Sequence, residues 1–317
     1  MNTFPLVTAA TSPIPNRIID AEPNDFCDSF NRSPFTFSHQ LASLPLFELS
    51  SLSKIAEELL SSGHPEKFCC SHNSQVSAST KFEELKPKEQ VAEAILKLRE
   101  SNSWIKLSAL NEIIPEFDYL ARQIILELEE LTGKALRKEI TWCGATIFLG
   151  SPNTVVPYHF DHEANFLFQI YGTKEVNLFD QENRLVLTEQ EIESSCFGAR
   201  ALNYKQEYQE KASVYHLTPG TGVHHPIMAP HWVKNGDDIS IMLSLGFRMC
   251  SFDTRLRVYK TNHYLRKLGL KPTPPGKSRW KDSLKTLVMI DTVSPSIKQF
   301  GAFVKYIFRS FRYRKNN

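Results

Sequence analysis

The stretch Pro157-Tyr158-His159-Phe160-Asp161 decides how this sequence is read. It places an imidazole and a carboxylate two residues apart in a run of extended character. Side chains alternate across a strand, so His159 and Asp161 are expected on one face. Two such donors make half of a metal site. A second histidine from a distant strand would complete a two-histidine, one-carboxylate set that leaves coordination positions open, an arrangement suited to iron(II). A His-x-Asp pair recurs by chance, so the rest of the chain has to supply the missing parts.

Working outward, the chain from Ile140 to about Phe247 consists of short β-type runs: Ile140–Leu149, Tyr158–Asp161, Phe166–Tyr171, Glu175–Phe179, Val214–Leu217, Gly222–Met228 and Ile239–Phe247. Turn residues separate them, among them Tyr171-Gly172-Thr173, Thr218-Pro219-Gly220-Thr221-Gly222 and Asn235-Gly236-Asp237. Short strands at such spacing predict an all-β sandwich or barrel. Residues 183–211 are an acidic, polar insertion, expected helical or looped.

The flanks read differently. Residues 1–34, rich in Ser, Thr, Asn, Asp and Pro, are expected to form a poorly ordered arm. Residues 35–135 are expected to be mainly helical. Leu52, Ile55, Ala56, Leu59 and Leu60 mark one helix, with Ser50 or Ser51 as cap and Gly63 as its stop. Val91, Ile95 and Leu98 mark a second, and Leu120, Ile124, Leu128 and Leu131 mark a third between Pro115 and Gly133. Residues 61–80, with His64, His72 and Cys69-Cys70, match no zinc spacing and read as a surface loop. With 136–250 as the β core, 251–317 form a C-terminal helical region: Tyr259–Leu268, then Trp280–Ile290, then 296–313. In the last of these Phe300, Phe303, Val304, Ile307, Phe308 and Phe311 share a stripe, expected to pack on the barrel or form a homodimer contact rather than lie on a membrane.

Composition sets bounds on function. A net charge of +2 over 317 residues says almost nothing about nucleic acid, so basic character must be local, and the one basic cluster (Arg309, Arg312, Arg314, Lys315) is too short and too aromatic to argue for a nucleic-acid partner. Six scattered cysteines without a CxxC pair argue for free thiols in a reducing cytoplasm. With no apolar run of membrane-spanning length and no basic leader, the expected location is cytoplasmic.

The second histidine must come from late in the β region. His216, His224, His225 and His231 are the candidates. Pro230 holds the approach to His231 rigid. Of the adjacent pair His224-His225 only one can face inward on a strand. The residues alone leave His225 and His231 both open.

Taken together, His159-Phe160-Asp161, Asn165-Phe166-Leu167-Phe168-Gln169-Ile170, Gly172-Thr173-Lys174, Pro219-Gly220-Thr221-Gly222-Val223-His224-His225-Pro226 and Ala229-Pro230-His231-Trp232 resemble the cupin-like JmjC family. They are most similar to bacterial cupin-like proteins related to the factor-inhibiting-HIF asparaginyl hydroxylase branch. Phe37-Ser38-His39-Gln40-Leu41, Ser103-Trp104-Ile105-Lys106-Leu107 and Asn262-His263-Tyr264-Leu265-Arg266 through Pro274-Pro275-Gly276 extend the likeness over most of the chain.

The resemblance implies a double-stranded β-helix (a jelly roll) with helical additions at both ends. It implies an Fe(II)- and 2-oxoglutarate-dependent dioxygenase, a hydroxylase of a protein, peptide or small molecule. Carried over by position, His159, Asp161 and His231 are the iron ligands, and Lys174 meets the far carboxylate of 2-oxoglutarate while dioxygen takes an open position. Without the resemblance Lys174 reads as a solvated hairpin lysine. Asn165 gains a supporting role near the cosubstrate, and Ser244, opposite in face to Ile241, Leu243 and Leu245, points at the cosubstrate or simply inward. One departure is Val156, where many relatives carry a threonine or serine that hydrogen-bonds 2-oxoglutarate. Tyr158, His162 and His224 read as core, surface and loop. Two other classes remain: a cupin isomerase or sugar-binding protein with zinc or manganese, and a JmjC-like regulatory protein without turnover.

Overall fold

The computed structural model describes residues 14–21, 23–72, 77–80, 91–198 and 202–289. The stretch 296–313 expected to form an amphipathic helix lies outside them. In chain order the first elements are β1 (Ile19–Asp20), α1 (Pro23–Ser29), β2 (Phe35–His39), α2 (Leu49–Ser61), β3 (Phe68–His72), α3 (Val91–Leu96), β4 (Ser103–Leu107), α4 (Pro115–Thr132) and α5 (Leu136–Glu139). Pro115 opens α4, and Gly133 closes it with φ +64, as a proline and glycine at those positions should. Its buried face is Phe117, Leu120, Ala121, Ile124, Ile125, Leu128 and Leu131.

Eight strands follow: β5 (Ile140–Gly150), β6 (Val155–His159), β7 (Ala164–Tyr171), β8 (Lys174–Leu178), β9 (Ser213–Leu217), β10 (Thr221–His225), β11 (His231–Asn235) and β12 (Ser240–Met249). They distribute between two antiparallel sheets. The smaller runs β6-β11-β8-β9, and β10-β7-β12-β5 form the centre of the larger. This interleaving is the double-stranded β-helix. Leu167, Val223 and Met242 of the larger sheet and Val176, Leu178, Leu217 and Val233 of the smaller share one buried cluster between the sheets. Gly172, at φ +69 in the β7–β8 turn, has the Ile239 carbonyl where a Cβ would stand, so only glycine fits there.

The segment 35–135 carries α2, α3 and α4, and it also contributes three strands to the large sheet. Its β2 pairs with β10, with β1 beyond it, and β4 and β3 continue the sheet past β5, giving eight strands in the order β1-β2-β10-β7-β12-β5-β4-β3. The expected surface loop 61–80 contains β3. α2 starts at Leu49 with Glu48 before it, so neither Ser50 nor Ser51 is its cap.

Of the expected arm 1–34, residues 1–13 and 22 lie outside the described residues, and the remainder packs on the protein. Ile18, Ile19, Phe26 and Phe30 are buried, and Glu127 of α4 accepts hydrogen bonds from the backbone N–H groups of Ile18 and Ile19 at 2.8 Å each. Phe26 and Phe30 stack on Phe166 at 6.1 and 6.3 Å, and Phe30 also meets Phe247 at 6.2 Å. With Phe35, Phe37 and His224 they form an aromatic layer on the face of the large sheet away from the inter-sheet core. Burying each such ring contributes about 1.5–3 kcal/mol, which is why a polar-looking segment is held in place.

The chain divides into two compact units, Met1–Val186 with Ala201–Arg248, and Leu187–Arg200 with Met249–Asn317. The second holds α6 (Glu189–Ser195), α7 (Cys250–Lys267) and α8 (Arg279–Val288). α6 begins with a Thr188–Glu191 capping box. Buried Glu193 takes two hydrogen bonds from Arg266, at 2.8 and 2.9 Å, which satisfies its charge.

Candidate metal centre

Three donor side chains meet where β6 ends and β11 begins. His159 is the last residue of β6 and His231 the first of β11, and they are register partners. Partners on paired strands project to the same face, and here it is the inner face that Val233 also occupies. The imidazole centroids are 4.2 Å apart with the rings at 51°. Asp161 Oδ2 lies 3.9 Å from His231 Nε2. One ligand atom from each of the three residues falls within 4.8 Å of the other two.

Asp161 arrives there by a route the sequence did not suggest. β6 stops at His159, so the expected strand Tyr158–Asp161 ends two residues early and simple alternation does not place the carboxylate. Instead, the Asp161 carbonyl accepts a hydrogen bond from the N–H of Met228 at 3.1 Å. That bond ties the loop after β6 to the turn before β11, where Met228 adopts φ +63.

The histidine tautomers follow from their neighbours. His159 Nδ1 lies 2.7 Å from the Pro157 carbonyl and His231 Nδ1 lies 3.0 Å from the Ala229 carbonyl. A carbonyl only accepts, so each Nδ1 carries a proton, and Nε2 is the ring atom left to face a metal. Carbonyls behind the ring orient metal-binding histidines in the same way. Burial lowers the His159 pKa to about 4, and the charge of His231 acts in the same direction. For Asp161 burial acts upward, but His159, His231 and His225 outweigh it and hold the carboxyl at about 2. Near neutral pH His159 is neutral and Asp161 ionised, the forms that bind a metal. Two imidazoles and one carboxylate fit a borderline divalent ion such as iron(II).

Lys174 opens β8 and shares the inner face with Val176 and Leu178. It is opposite Asn235, whereas His231 is opposite Leu178. The lysine is only 4% exposed, so it is not the solvated hairpin residue that its position alone suggests. Burial lowers its pKa to about 7, and among the described residues no carboxylate offsets that burial.

Asn165 and Ser244 touch each other rather than standing separately. The Ser244 hydroxyl donates to Asn165 Oδ1 at 3.0 Å, and Asn165 Nδ2 donates to Asp161 Oδ2 at 3.2 Å. Val156 is opposite Val233 and packs against the core cluster. Tyr158 is buried, its hydroxyl donating to the Val186 carbonyl at 2.8 Å. His162 is half-buried, its ring 5.5 Å from that of Phe160.

Both candidates for the second histidine approach the site, and the three-donor cluster takes His231. His225 is buried on the inner face, its ring 4.7 Å from that of His231. Its alternation with Val223 along β10 is the signal that marks it as inward. His224 is not in a loop: it lies within β10, fully buried on the opposite face. Its Nδ1 donates to the Asn165 carbonyl and its Nε2 accepts from the Asn31 N–H, both at 3.0 Å.

No curated protein matches the chain. Among solved structures, YcfD from Escherichia coli is similar at 16% identity, over 89% of this chain and 71% of that one, with a TM-score of 0.48. YcfD described as a ribosomal oxygenase in complex with cobalt and 2-oxoglutarate matches at 17% identity, over 87% and 68%, again with a TM-score of 0.48. The DMSP lyase DddQ from Ruegeria pomeroyi matches at 17% identity over 33% of this chain and 38% of that one, with a TM-score of 0.22. A family model described as a cupin-like domain matches residues 39–253, well over half of the 317-residue chain, and the chain belongs to that family.

Proposed function

We propose that this protein is an Fe(II)- and 2-oxoglutarate-dependent oxygenase that hydroxylates a protein side chain, a peptide or a small molecule. One observation carries the reading: the His159, Asp161 and His231 donors cluster on the side of the small sheet that also carries a buried lysine, which among the described residues no carboxylate offsets. A buried ammonium without a counter-charge is unfavourable, and a bound anion removes the penalty.

The spacing suits a dicarboxylate. Four residues of β8, from the level of His231 to Lys174, span roughly 13 Å, which 2-oxoglutarate and an extended lysine side chain together cover. In this reading His159, Asp161 and His231 would hold iron(II). Lys174 meets the far carboxylate, and Val176 and Leu178 exclude water along its length. Iron(II), when bound, supplies the redox chemistry with dioxygen that no side chain can provide. Val156 offers no hydrogen bond, so recognition of the far carboxylate rests more heavily on Lys174.

No helix among the described residues is long and apolar enough to cross a membrane, and we place the protein in the cytoplasm, without a nucleic-acid partner. The test is succinate release from 2-oxoglutarate, dependent on iron(II) and dioxygen. Turnover is expected in the unaltered protein and lost in His231→Ala. Absence of any iron-dependent succinate would contradict the reading.

A further inference from the structure

We infer that Asn165 and Ser244 are positioning residues for the metal-binding carboxylate, acting as a hydrogen-bonded relay that fixes the orientation of Asp161. The inference rests on the proposed metal centre and assigns work to two residues that lie beside the three donors.

The chemistry of the two ends leaves one arrangement. An ionised carboxylate only accepts, so the Asn165 amide must turn its NH2 toward Asp161 Oδ2, at 3.2 Å. Its Oδ1 then faces Ser244, whose hydroxyl has to donate, at 3.0 Å. The two residues stand on neighbouring strands of the large sheet, β7 and β12, with Ser244 opposite Leu167 and Gly246 opposite Asn165. Room for the amide comes from Gly246: a Cβ there would lie 2.6 Å from Asn165 Oδ1. The Asn165 backbone is fixed from the other face of the sheet, where buried His224 donates to its carbonyl. Asp161 itself lies beyond the end of β6, without a strand to set its rotamer. The relay supplies that constraint, and a donor on Oδ2 leaves the other oxygen and the remaining lone pairs for a metal.

The experiment is Co(II) titration of the full-length protein followed by visible absorption, with thermal unfolding of each metal-free variant measured in parallel. Asn165→Leu keeps the side-chain volume but removes the donor, and Co(II) affinity is expected to fall about 10–100-fold with an altered absorption envelope. Ser244→Ala is expected to fall less, Ser244→Thr to restore the affinity, and the double variant Asn165→Leu/Ser244→Ala to be no weaker than Asn165→Leu. Equal Co(II) affinity and spectrum in folded Asn165→Leu and wild type would overturn the relay, as would additive losses in the double variant. Failure of the wild type to bind Co(II), or binding that survives His159→Ala, would instead defeat the metal-centre reading on which the relay depends.

Discussion

His159 and His231 are register partners on the antiparallel strands β6 and β11, with ring centroids 4.2 Å apart. Each ring is fixed from behind by a carbonyl two residues earlier in its own chain, Pro157 for one and Ala229 for the other. The same local device, repeated on two strands, turns both Nε2 atoms toward one point. Replacing either histidine by alanine should weaken divalent metal binding by more than the 10–100-fold typical of a change behind the ligands. Neither histidine belongs to the apolar cluster between the sheets, so thermal unfolding of the metal-free protein should shift less than on truncating a member of that cluster. Isothermal titration with Co(II) checks the first statement and calorimetry the second.

Lys174 makes the fold depend on pH. In the unfolded chain the lysine keeps its proton to about pH 10.5, whereas burial brings it to about 7 in the folded protein. Between those values the unfolded state binds more protons, so this group's contribution to stability rises with pH. Lys174→Met should therefore stabilise the metal-free protein by about 1–4 kcal/mol at pH 7, with the gain fading toward pH 10.5. Urea unfolding at several pH values measures it. A dicarboxylate that requires the ammonium should take up a proton on binding at pH 8, seen as a buffer-dependent binding enthalpy.

Buried neutral histidines should make the protein sensitive to acid. Burial lowers His39 to about 4 and His224 to about 3, against 6.5 in the unfolded chain. Below pH 6.5 the unfolded state gains protons that the folded state refuses, and stability is lost as pH falls. Each contributes a slope of about 1.4 kcal/mol per pH unit between roughly pH 6 and 4.5. Replacing His39 by Gln should remove one such slope from the stability profile.

Phe30 anchors the segment before β2 through Phe166, His224 and Phe247. Phe30→Ala should destabilise by about 3–5 kcal/mol, measured by denaturant titration. A change under 1 kcal/mol would show that 14–34 is a dispensable cover.

What the sequence revealed depended on how local the signal was. β5 to β10 and β12 are runs punctuated by turn residues, and their existence could be read directly, whereas β11 (His231–Asn235) is not among the expected strands. β4 could not, because four of the five residues Ser103–Leu107 are buried and give no alternation. Phe26 and Phe30 sit among polar residues; Phe35 and Phe37 are close in sequence, but the Phe166 and Phe247 rings on which the segment lies are more than a hundred positions away, so the local pattern does not distinguish an anchored segment from a loose arm. The choice between His225 and His231 had the same character. Both point inward, and only the pairing of β11 with β6 gives His231 its place beside His159. The contact between Asn165 and Ser244 is made across β7 and β12 and has no trace in spacing.

The central claim is a two-histidine, one-carboxylate centre that takes iron(II) and 2-oxoglutarate together. Anaerobic titration of the purified protein with both, followed in the visible region, tests it most directly. The weak absorption band of the iron(II)–2-oxoglutarate chelate should appear in the wild type, vanish in His159→Ala and Asp161→Ala, and need more 2-oxoglutarate in Lys174→Met. No band in the wild type, or a band that survives both ligand replacements, would contradict it.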